Sequence, residues 1–289
     1  MNVHIVCQNT GDHVLARMAD ALVTETGWSL STKPERRVDI NLFLPYLIYR
    51  SCPHTRTGAY FTHREVNDRN KARTWDNVEG WVDLRLYTAR QYVNPARPSA
   101  VVRPPVDRDK FRPPSAWRKF GMGRVGVSGM TYKTGRKGEQ LVTALDECRR
   151  SGQIDIELVA SGRGWGVPTE RYAWELMHEF YWSLDVLICT SIVEGVPMPP
   201  LEAMACGVPV LIPRGVGMLD DIPEHPAVYR YETGNFVSMV EALTMALRIR
   251  KCGRDARRLV ADELRSLTAP YTAANWAADI RGALEGVPV

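Results

Sequence analysis

The sequence predicts an α/β protein made of two doubly wound, parallel-sheet domains. Short β-branched apolar runs alternate with amphipathic helical segments along most of the chain, which is the pattern of repeated βαβ units. This alternation restarts after a proline-rich stretch at 103–115. The length of 289 residues, with 45% hydrophobic content, suffices for two cores.

The first predicted domain, 1–102, opens with a strand and a helix. "NVHIVCQ" is rich in β-branched residues, and the segment after it places Val14, Met18 and Leu22 at helical spacing. Further strands are predicted at "VDINLFL", "GAYFTH", "VDLRLYT" and "AVVRP". The result is a small Rossmann-like domain with a largely parallel sheet.

The stretch 103–115 contains four prolines and is the predicted linker. A second Rossmann-like domain is then predicted over 116–266. Its strands and helices alternate through "RVGVSG", "KGEQLVTALDECRR", "IDIELVASG", "TERYAWELMHEFYWS", "LDVLICTS", "PLEAMACG", "VPVLIP" and "NFVSMVEALTMALRIRK". The tail, 267–289, is predicted to be a helix that packs back towards the first domain through Trp276, Ile280 and Leu284.

Composition excludes several classes of protein. No window approaches the roughly 18 apolar residues of a membrane span, so we expect a cytoplasmic protein without one. The six cysteines are scattered without a CxxC pair, so neither a zinc site nor a disulfide framework is predicted. The net charge is +4, and the first 115 residues carry 17 lysines and arginines against 12 acidic residues. The basic excess therefore belongs to the first half of the chain.

Two acidic residues mark a candidate site in the second domain. Glu194 follows the strand "LDVLICTS", and ligands of open parallel sheets bind beyond the carboxyl ends of the strands. Glu202 lies eight positions later, after three prolines. Alone, Glu202 could merely complement a helix dipole and Glu194 could be a solvated loop residue. Together, and with Gly195 beside the first, they favour a functional site.

The prolines predict where the next helix begins. Pro200 suits a first helical position, so the helix should start near it and leave the N–H groups of Leu201 and Glu202 for an anion. Because prolines lack N–H groups, Val196 and Met198 are the other loop amides that could bind a diphosphate.

The segment "EGVPMPPLEAMACGVPV" resembles the E-x7-E region of retaining GT-B glycosyltransferases, in particular family 4. Four other segments resemble elements of that family in the expected order, and together they cover nearly all of 101–235: "RPPVDRDKFRP", "SGMTYKTGRKGEQLV", "ELVASGRG" and "EFYWSLDVLICTS". The resemblance implies two Rossmann-like domains facing across a cleft. It also implies transfer of a sugar from a nucleotide-diphosphate sugar to an acceptor hydroxyl, with retention, no metal and no other cofactor.

The resemblance also assigns roles in the donor site. Glu194 should contact hydroxyls of the sugar, and Glu202 should accept hydrogen bonds from the ribose. Lys137 should pair with the diphosphate and stabilise the leaving group. Gly129 and Gly162 fall in the two glycine turns of the family.

Two arginine positions of the family pattern lack a basic residue in this sequence. The arginine that normally precedes the lysine by five residues would fall at Tyr132, and Met130 stands where another arginine follows the turn glycine. Either Lys133 or Arg136 could supply the second positive charge. The loss of this arginine also supports an alternative, a nucleotide-sugar-binding module with impaired turnover.

In the first domain, "AYFTHRE" resembles the family's strand-end histidine segment, so His63 should lie near the reacting carbon. The first loop contains Gly11, which allows close backbone approach, and Asp12 and His13, which are candidate acceptor contacts. The family mechanism implied is front-face substitution, in which no protein general base is assigned.

The acceptor is left open between two classes. The first domain interleaves aromatic and basic side chains, a pattern suited to nucleic acid: Arg64, Arg69, Lys71, Arg73, Trp75, Trp81, Arg85, Tyr87, Arg90, Tyr92 and Arg97. This favours a hydroxylated DNA base, exposed by flipping, as one acceptor. A small metabolite, lipid or polysaccharide is the other, with the aromatic residues in the core and the arginines solvated.

Overall fold

The computed structural model describes residues 1–8, 11, 13–117, 122–248 and 254–286. Asp12, a predicted acceptor contact, lies outside these described residues. The chain divides into two compact units, the first formed by Met1–Pro105 with Pro270–Val289 and the second by Val106–Ala269.

The predicted linker is divided by this boundary. Val106 and Phe111 are buried, and Arg265 donates a hydrogen bond from Nη1 to the carbonyl of Phe111 at 2.8 Å. A second Arg265 nitrogen, Nη2, donates to the carbonyl of Arg108 at 2.9 Å. The chain after Pro105 is thus packed into the second unit rather than free.

The first unit is a six-stranded parallel sheet with helices on both faces. The strand order is β2-β1-β3-β4-β5-β6. The strands are β1 (Val3–Cys7), β2 (Ser29–Ser31), β3 (Ile40–Leu44), β4 (Arg56–Phe61), β5 (Leu84–Tyr87) and β6 (Ser99–Val101). The helices are α1 (Val14–Thr26), α2 (Arg69–Trp81) and, near the end of the described chain, α8 (Ala273–Glu285).

Alternating side chains build two cores in this unit because successive residues of a strand point to opposite faces. On one face, Leu42 and Tyr60 belong to a buried cluster with Trp276, Ile280 and Leu284 of α8. Their neighbours on the strands belong to the opposite cluster, with α2: Phe43, Ala59 and Phe61. The helical spacing of the tail therefore serves the core of the first unit.

The second unit is also a six-stranded parallel sheet, ordered β12-β11-β10-β7-β8-β9. Its strands are β7 (Gly123–Met130), β8 (Ile156–Arg163), β9 (Thr169–Glu170), β10 (Val186–Ile188), β11 (Val210–Pro213) and β12 (Val228–Tyr231). Its helices are α3 (Glu139–Arg150), α4 (Met177–Trp182), α5 (Met198–Ala205), α6 (Phe236–Ala246) and α7 (Arg254–Leu267). The prediction of two doubly wound parallel sheets is confirmed.

The strand orders locate a switch point in each unit. In the second unit, chain order runs outward from β7 in one direction and from β10 in the other, and these two strands pair in parallel. The first unit reverses in the same way between β1 and β3. Loops at the carboxyl ends of such strands diverge and leave a crevice for a ligand.

Candidate functional site

The site in the second unit is built from the loops that follow β7 and β10. Gly138 lies between the first of these loops and α3, with φ of +67°, and a Cβ there would lie 2.0 Å from the carbonyl oxygen of Thr190. The Thr190 hydroxyl in turn donates to the carbonyl of Lys137 at 2.6 Å. Glycine at 138 therefore lets the two loops touch, and this contact fixes the backbone of Lys137.

The turn at the end of β7 is fixed in a similar way. Gly162 on β8 pairs with Gly129 on β7, and a Cβ at Gly162 would lie 1.9 Å from the Gly129 oxygen. The indole N–H of the buried Trp165 donates to that same oxygen at 2.9 Å. Gly129 and Gly162, both predicted site residues, thus permit the close approach of two strands at the edge of the site.

Three charged side chains converge between the loops. The ammonium of Lys137 forms a salt bridge with Oε1 of Glu194, and Nη1 of Arg136 lies 3.3 Å from Oε2. All three side chains are largely buried, with exposed fractions of 13% for Lys137, 9% for Arg136 and 8% for Glu194. Two cations share one carboxylate, so the cluster carries an excess positive charge where an anionic ligand would enter.

Of the two candidates for the missing positive charge, Arg136 is the one beside Glu194. Its guanidinium lies 4.1 Å from the ring of Tyr132, a cation–π contact. Its carbonyl accepts the N–H of Ile192 at 2.7 Å. Lys133 is exposed. Tyr132, which stands where the family pattern has an arginine, thus packs against the guanidinium of Arg136.

The start of α5 corrects the prediction from the sequence. The helix begins at Met198, with Pro197 as its N-cap, and not near Pro200. The first four N–H positions of a helix have no intrahelical acceptor, and here all four are described residues. Three of them are prolines, which leaves Met198 as the amide that can donate. Leu201 is the next residue, and its N–H falls within the helix ladder, so the predicted free amides at Leu201 and Glu202 are wrong.

The loop between the two acids rests on a neighbouring turn. The carbonyl of Gly195 accepts the N–H of Met218 at 3.0 Å. Gly217 has φ of +56°, and a Cβ there would lie 2.4 Å from the backbone carbonyl oxygen of Glu194. Val196 follows in the same loop and is half-buried. Contacts to the Gly217–Asp221 turn therefore hold the backbone around Glu194.

Glu202 is buried, and its partner was missed by sequence reasoning. The phenol of Tyr181 on α4 donates to Oε2 of Glu202 at 2.6 Å. Burial and the neighbouring Glu202 raise the pKa of Tyr181 well above its ordinary value. The sequence "EFYWS" holds three aromatic residues in a row, and nothing in their spacing indicates which one meets Glu202.

A small, partly open pocket lies beside Lys137. Its lining includes Lys137, Ser128, Trp165, Thr190 and Pro200. The lining combines one cation, hydroxyl groups and an indole, which are the groups that recognise a phosphate, sugar hydroxyls and a flat ring.

His63 follows β4 at the carboxyl edge of the first unit and has a partner that was not predicted. Its Nε2 lies 3.2 Å from Oε1 of Glu65, a carboxylate that is 3% exposed. The ammonium of Lys71 lies 3.8 Å from the same oxygen. The buried hydroxyl of Tyr46 donates to the His63 carbonyl at 3.5 Å. The signal for Glu65 was its position two residues after His63 in "THRE".

Gly11 and His13 are the described candidate residues just before α1. Gly11 has φ of +60°, which suits glycine. His13 is the N-cap of α1, and its Nδ1 accepts the N–H of Leu15 at 3.2 Å. Burial, and then Arg17, lower the pKa of His13. The neutral imidazole therefore serves the helix through Nδ1, and Nε2 is the atom through which a ligand would be bound.

The proposed nucleic-acid surface loses several of its predicted members. Trp75 and Tyr87 are core residues, and Arg85 is buried, with Nε and Nη2 donating to the carbonyl of Glu79. Arg64 is paired with Asp76 at 2.9 Å. Trp81 remains exposed. Most of the aromatic pattern thus reflects packing of the first unit.

The described residues contain neither a cluster of metal ligands nor a membrane-spanning helix. Among these residues, no group of three or more His, Cys, Asp or Glu side chains could hold a metal ion. No helix within the described ranges is long and apolar enough to cross a membrane.

Residues 167–261 match the family "Glycosyl transferases group 1". This segment contains Glu194, Glu202 and Tyr181. No curated protein sequence matches the chain.

Solved structures show the GT-B fold across the whole chain. Alr3699/HepE from Anabaena, solved with UDP and glucose, has a TM-score of 0.71 at 11% identity and covers 99% of this chain and 100% of that one. The lipopolysaccharide outer core galactosyltransferase WaaB has a TM-score of 0.68 at 13% identity, covering 99% of each chain. The sucrose-phosphate synthase of Thermosynechococcus elongatus has a TM-score of 0.66 at 14% identity, covering 94% of this chain and 76% of that one. The family match and the fold together support a GT-B glycosyltransferase.

Proposed function

We propose that this protein transfers a sugar from a nucleotide-diphosphate sugar to an acceptor hydroxyl, with retention of anomeric configuration and without a metal. The observation that carries the proposal is the cluster of Arg136, Lys137 and Glu194 at the switch point of the second sheet. It sets two cations and a carboxylate within one ligand's reach, inside the unit that contains the glycosyltransferase match.

The chemistry of a nucleotide sugar suits this cluster. Lys137 and Arg136 bind the diphosphate and stabilise the negative charge that grows on it as the sugar departs. Glu194 accepts hydrogen bonds from sugar hydroxyls, and Glu202 accepts them from the ribose. Lys137 and Arg136 neutralise the negative charge of the diphosphate, which a metal ion would otherwise do.

Nucleotide-sugar use is further supported by the structural neighbours, since Alr3699/HepE was solved with UDP-glucose. We infer that the departing phosphate oxygen deprotonates the acceptor on the same face of the sugar. In the first unit, His63 is proposed to contact the donor sugar near the reacting carbon, with its Glu65 partner fixing the imidazole.

For the acceptor, we favour a small molecule or glycan over a hydroxylated base in DNA. A nucleic-acid surface needs exposed aromatic faces, whereas Trp75 and Tyr87 lie in the core. Gly11 and His13 remain the proposed acceptor-side contacts. A fluorescent DNA duplex titrated at low and moderate salt tests this preference, and salt-sensitive binding would favour DNA instead.

A thermal-shift screen of UDP-, ADP- and GDP-sugars identifies the donor, because a ligand of the folded state raises its melting temperature. The transfer or hydrolysis rate is then measured for the wild type, Lys137→Ala and Glu194→Ala. Arg150→Ala, at the far end of α3 and paired with Asp146, is the matched control. We expect both site variants to lose on the order of 2 kcal/mol or more of transition-state stabilisation.

The anomeric configuration of the product, read by NMR, tests retention. An inverted product would overturn the proposed stereochemistry. A wild type that binds a nucleotide sugar without turnover would instead support a nucleotide-sugar-binding module.

A further inference from the structure

Tyr181 and Glu202 are buried partners on adjacent helices of the second unit. Tyr181 lies on α4 and Glu202 on α5, and the phenol donates to Oε2 at 2.6 Å. Tyr181 is fully buried, and Glu202 is 5% exposed. A buried carboxylate needs hydrogen-bond donors to offset the loss of water, and Tyr181 is one of them.

The direction of this hydrogen bond is fixed. Burial first, and the charge of Glu202 second, hold the pKa of Tyr181 well above 10, so the phenol keeps its proton at every physiological pH. The phenol therefore donates and Oε2 of Glu202 accepts.

The position of the phenol is fixed as well. The Tyr181 ring packs edge-on against Phe111 at 5.8 Å and against Phe180 at 5.6 Å. A ring held in this way places its hydroxyl at one point relative to α5. Since a carboxylate is planar, fixing Oε2 of Glu202 also sets the direction of Oε1.

We propose that Tyr181 is a positioning residue that orients the Glu202 carboxylate towards the ribose diol of the donor nucleotide. This inference rests on the proposed function, in which Glu202 accepts the ribose hydroxyls. It makes Tyr181 a determinant of specificity for ribonucleotides, although the phenol itself need not touch the ligand.

A purely structural role for the pair predicts a different pattern. If Tyr181 only stabilised the packing of α4 against α5, its loss would lower the melting temperature and weaken all ligands alike. If it orients Glu202, the effect of its loss depends on whether the ligand has the hydroxyls that Glu202 binds.

The test compares Tyr181→Phe with the wild type by calorimetry. The ligands are UDP, ADP and GDP, each with its 2′,3′-dideoxy counterpart. Tyr172→Phe is the matched control, because Tyr172 donates to Glu170 at 2.8 Å in the same unit. We expect Tyr181→Phe to weaken the preferred ribonucleotide about tenfold, as for a lost hydrogen bond to a charged group. The affinity of Tyr181→Phe for the dideoxy ligand should equal that of the wild type. The Tyr172→Phe control should bind both ligands with wild-type affinity.

Equal weakening of the two ligands, or no weakening, would overturn the positioning role while leaving the proposed function intact. If the wild type bound none of the diphosphates, the proposed function would fail and this inference with it. Should Tyr181→Phe not fold, Phe111→Leu provides the same comparison, because it removes the ring that packs edge-on against Tyr181. Selective loss of ribonucleotide affinity supports the inference, and unselective or absent loss overturns it.

Discussion

The Lys137 ammonium and the Glu194 carboxylate form a salt bridge within the second unit, and Arg136 contacts the other oxygen of the same carboxylate. Under the proposed function, these groups bind two adjacent parts of the donor. The two cations bind the diphosphate, and Glu194 binds the sugar. A diphosphate that binds Lys137 therefore competes with Glu194, and displacement of Glu194 frees it for sugar hydroxyls. Binding of the diphosphate by Lys137 and binding of the sugar by Glu194 are therefore coupled through the salt bridge between the two side chains.

Glu194→Gln should bind a nucleoside diphosphate more tightly than the wild type, while losing sugar transfer. Removing the competing anion leaves Lys137 and Arg136 for the phosphates, and we expect a gain of about fivefold or more at low salt. Calorimetry with the diphosphate and with the intact donor measures both effects. Unchanged or weaker diphosphate binding would show that Glu194 does not compete for the cations.

Arg136→Ala should reduce transfer far more than Lys133→Ala, because Arg136 lies beside Glu194 and Lys133 is exposed. We expect a loss of about thirtyfold or more in kcat/KM for Arg136→Ala, equivalent to about 2 kcal/mol. Arg136→Lys keeps the positive charge, so its kcat/KM should lie between those of Arg136→Ala and the wild type. Steady-state kinetics with the identified donor provide the measurement, and equal effects of the two alanine variants would contradict the assignment of Arg136.

Gly138→Ala should destabilise the protein and reduce donor binding, since its Cβ would collide with the Thr190 carbonyl. Gly135→Ala is a matched control. Gly135 has φ of +68°, against +67° for Gly138, but no heavy atom lies within 4 Å of its added Cβ. Gly135→Ala should lower the free energy of unfolding by about 1–2 kcal/mol through backbone strain alone. Gly138→Ala should lower it by clearly more. Chemical denaturation distinguishes them, and equal losses would mean that the contact with Thr190 is unimportant.

The stability of the first unit should fall as the pH decreases below about 6.5, in part because of His13. Its pKa is lower in the folded protein than its ordinary value of 6.5. The unfolded chain therefore binds the proton more tightly, and the stability present above pH 6.5 is lost as the pH falls through the folded pKa. Protonation of Nδ1 also removes the cap of α1.

His13→Asn provides the control, because asparagine is a good N-cap that does not titrate in this range. Its denaturation midpoint should depend less on pH between 7 and 5 than that of the wild type. His13→Ala should lose about 1 kcal/mol near pH 7, where the cap is intact. If the wild type and His13→Asn showed the same pH dependence, His13 would not be its source.

Much of the fold could be predicted from the sequence because its signals are local. Short apolar runs predict β3 and β4, whose successive residues, such as Leu42 and Phe43, belong to opposite cores. The helical spacing of Trp276, Ile280 and Leu284 marks the buried face of α8. The start of α5 was less predictable. A proline disfavours helical angles in the residue before it, but packing overrides that preference at Met198 and Pro199.

In the site, the individual acids could be predicted and their partners could not. Glu194 and Glu202 stand at an evident strand-to-helix junction. The contact of Glu202 with Tyr181, 21 residues away, depends on how α4 packs against α5, and no local spacing encodes it. The choice of Arg136 over Lys133 likewise depends on the turn that places Tyr132 beneath the guanidinium.

The return of α8 to the first unit has a consequence for how the chain folds during synthesis. Residues of the second unit are contiguous, so that unit can complete its core as soon as Ala269 has left the ribosome. The first unit begins earlier but must wait for Trp276 and Ile280 to cover one face of its sheet. Of the two units, the one that is translated earlier is therefore the last to close, and one apolar face of its sheet stays uncovered during that interval.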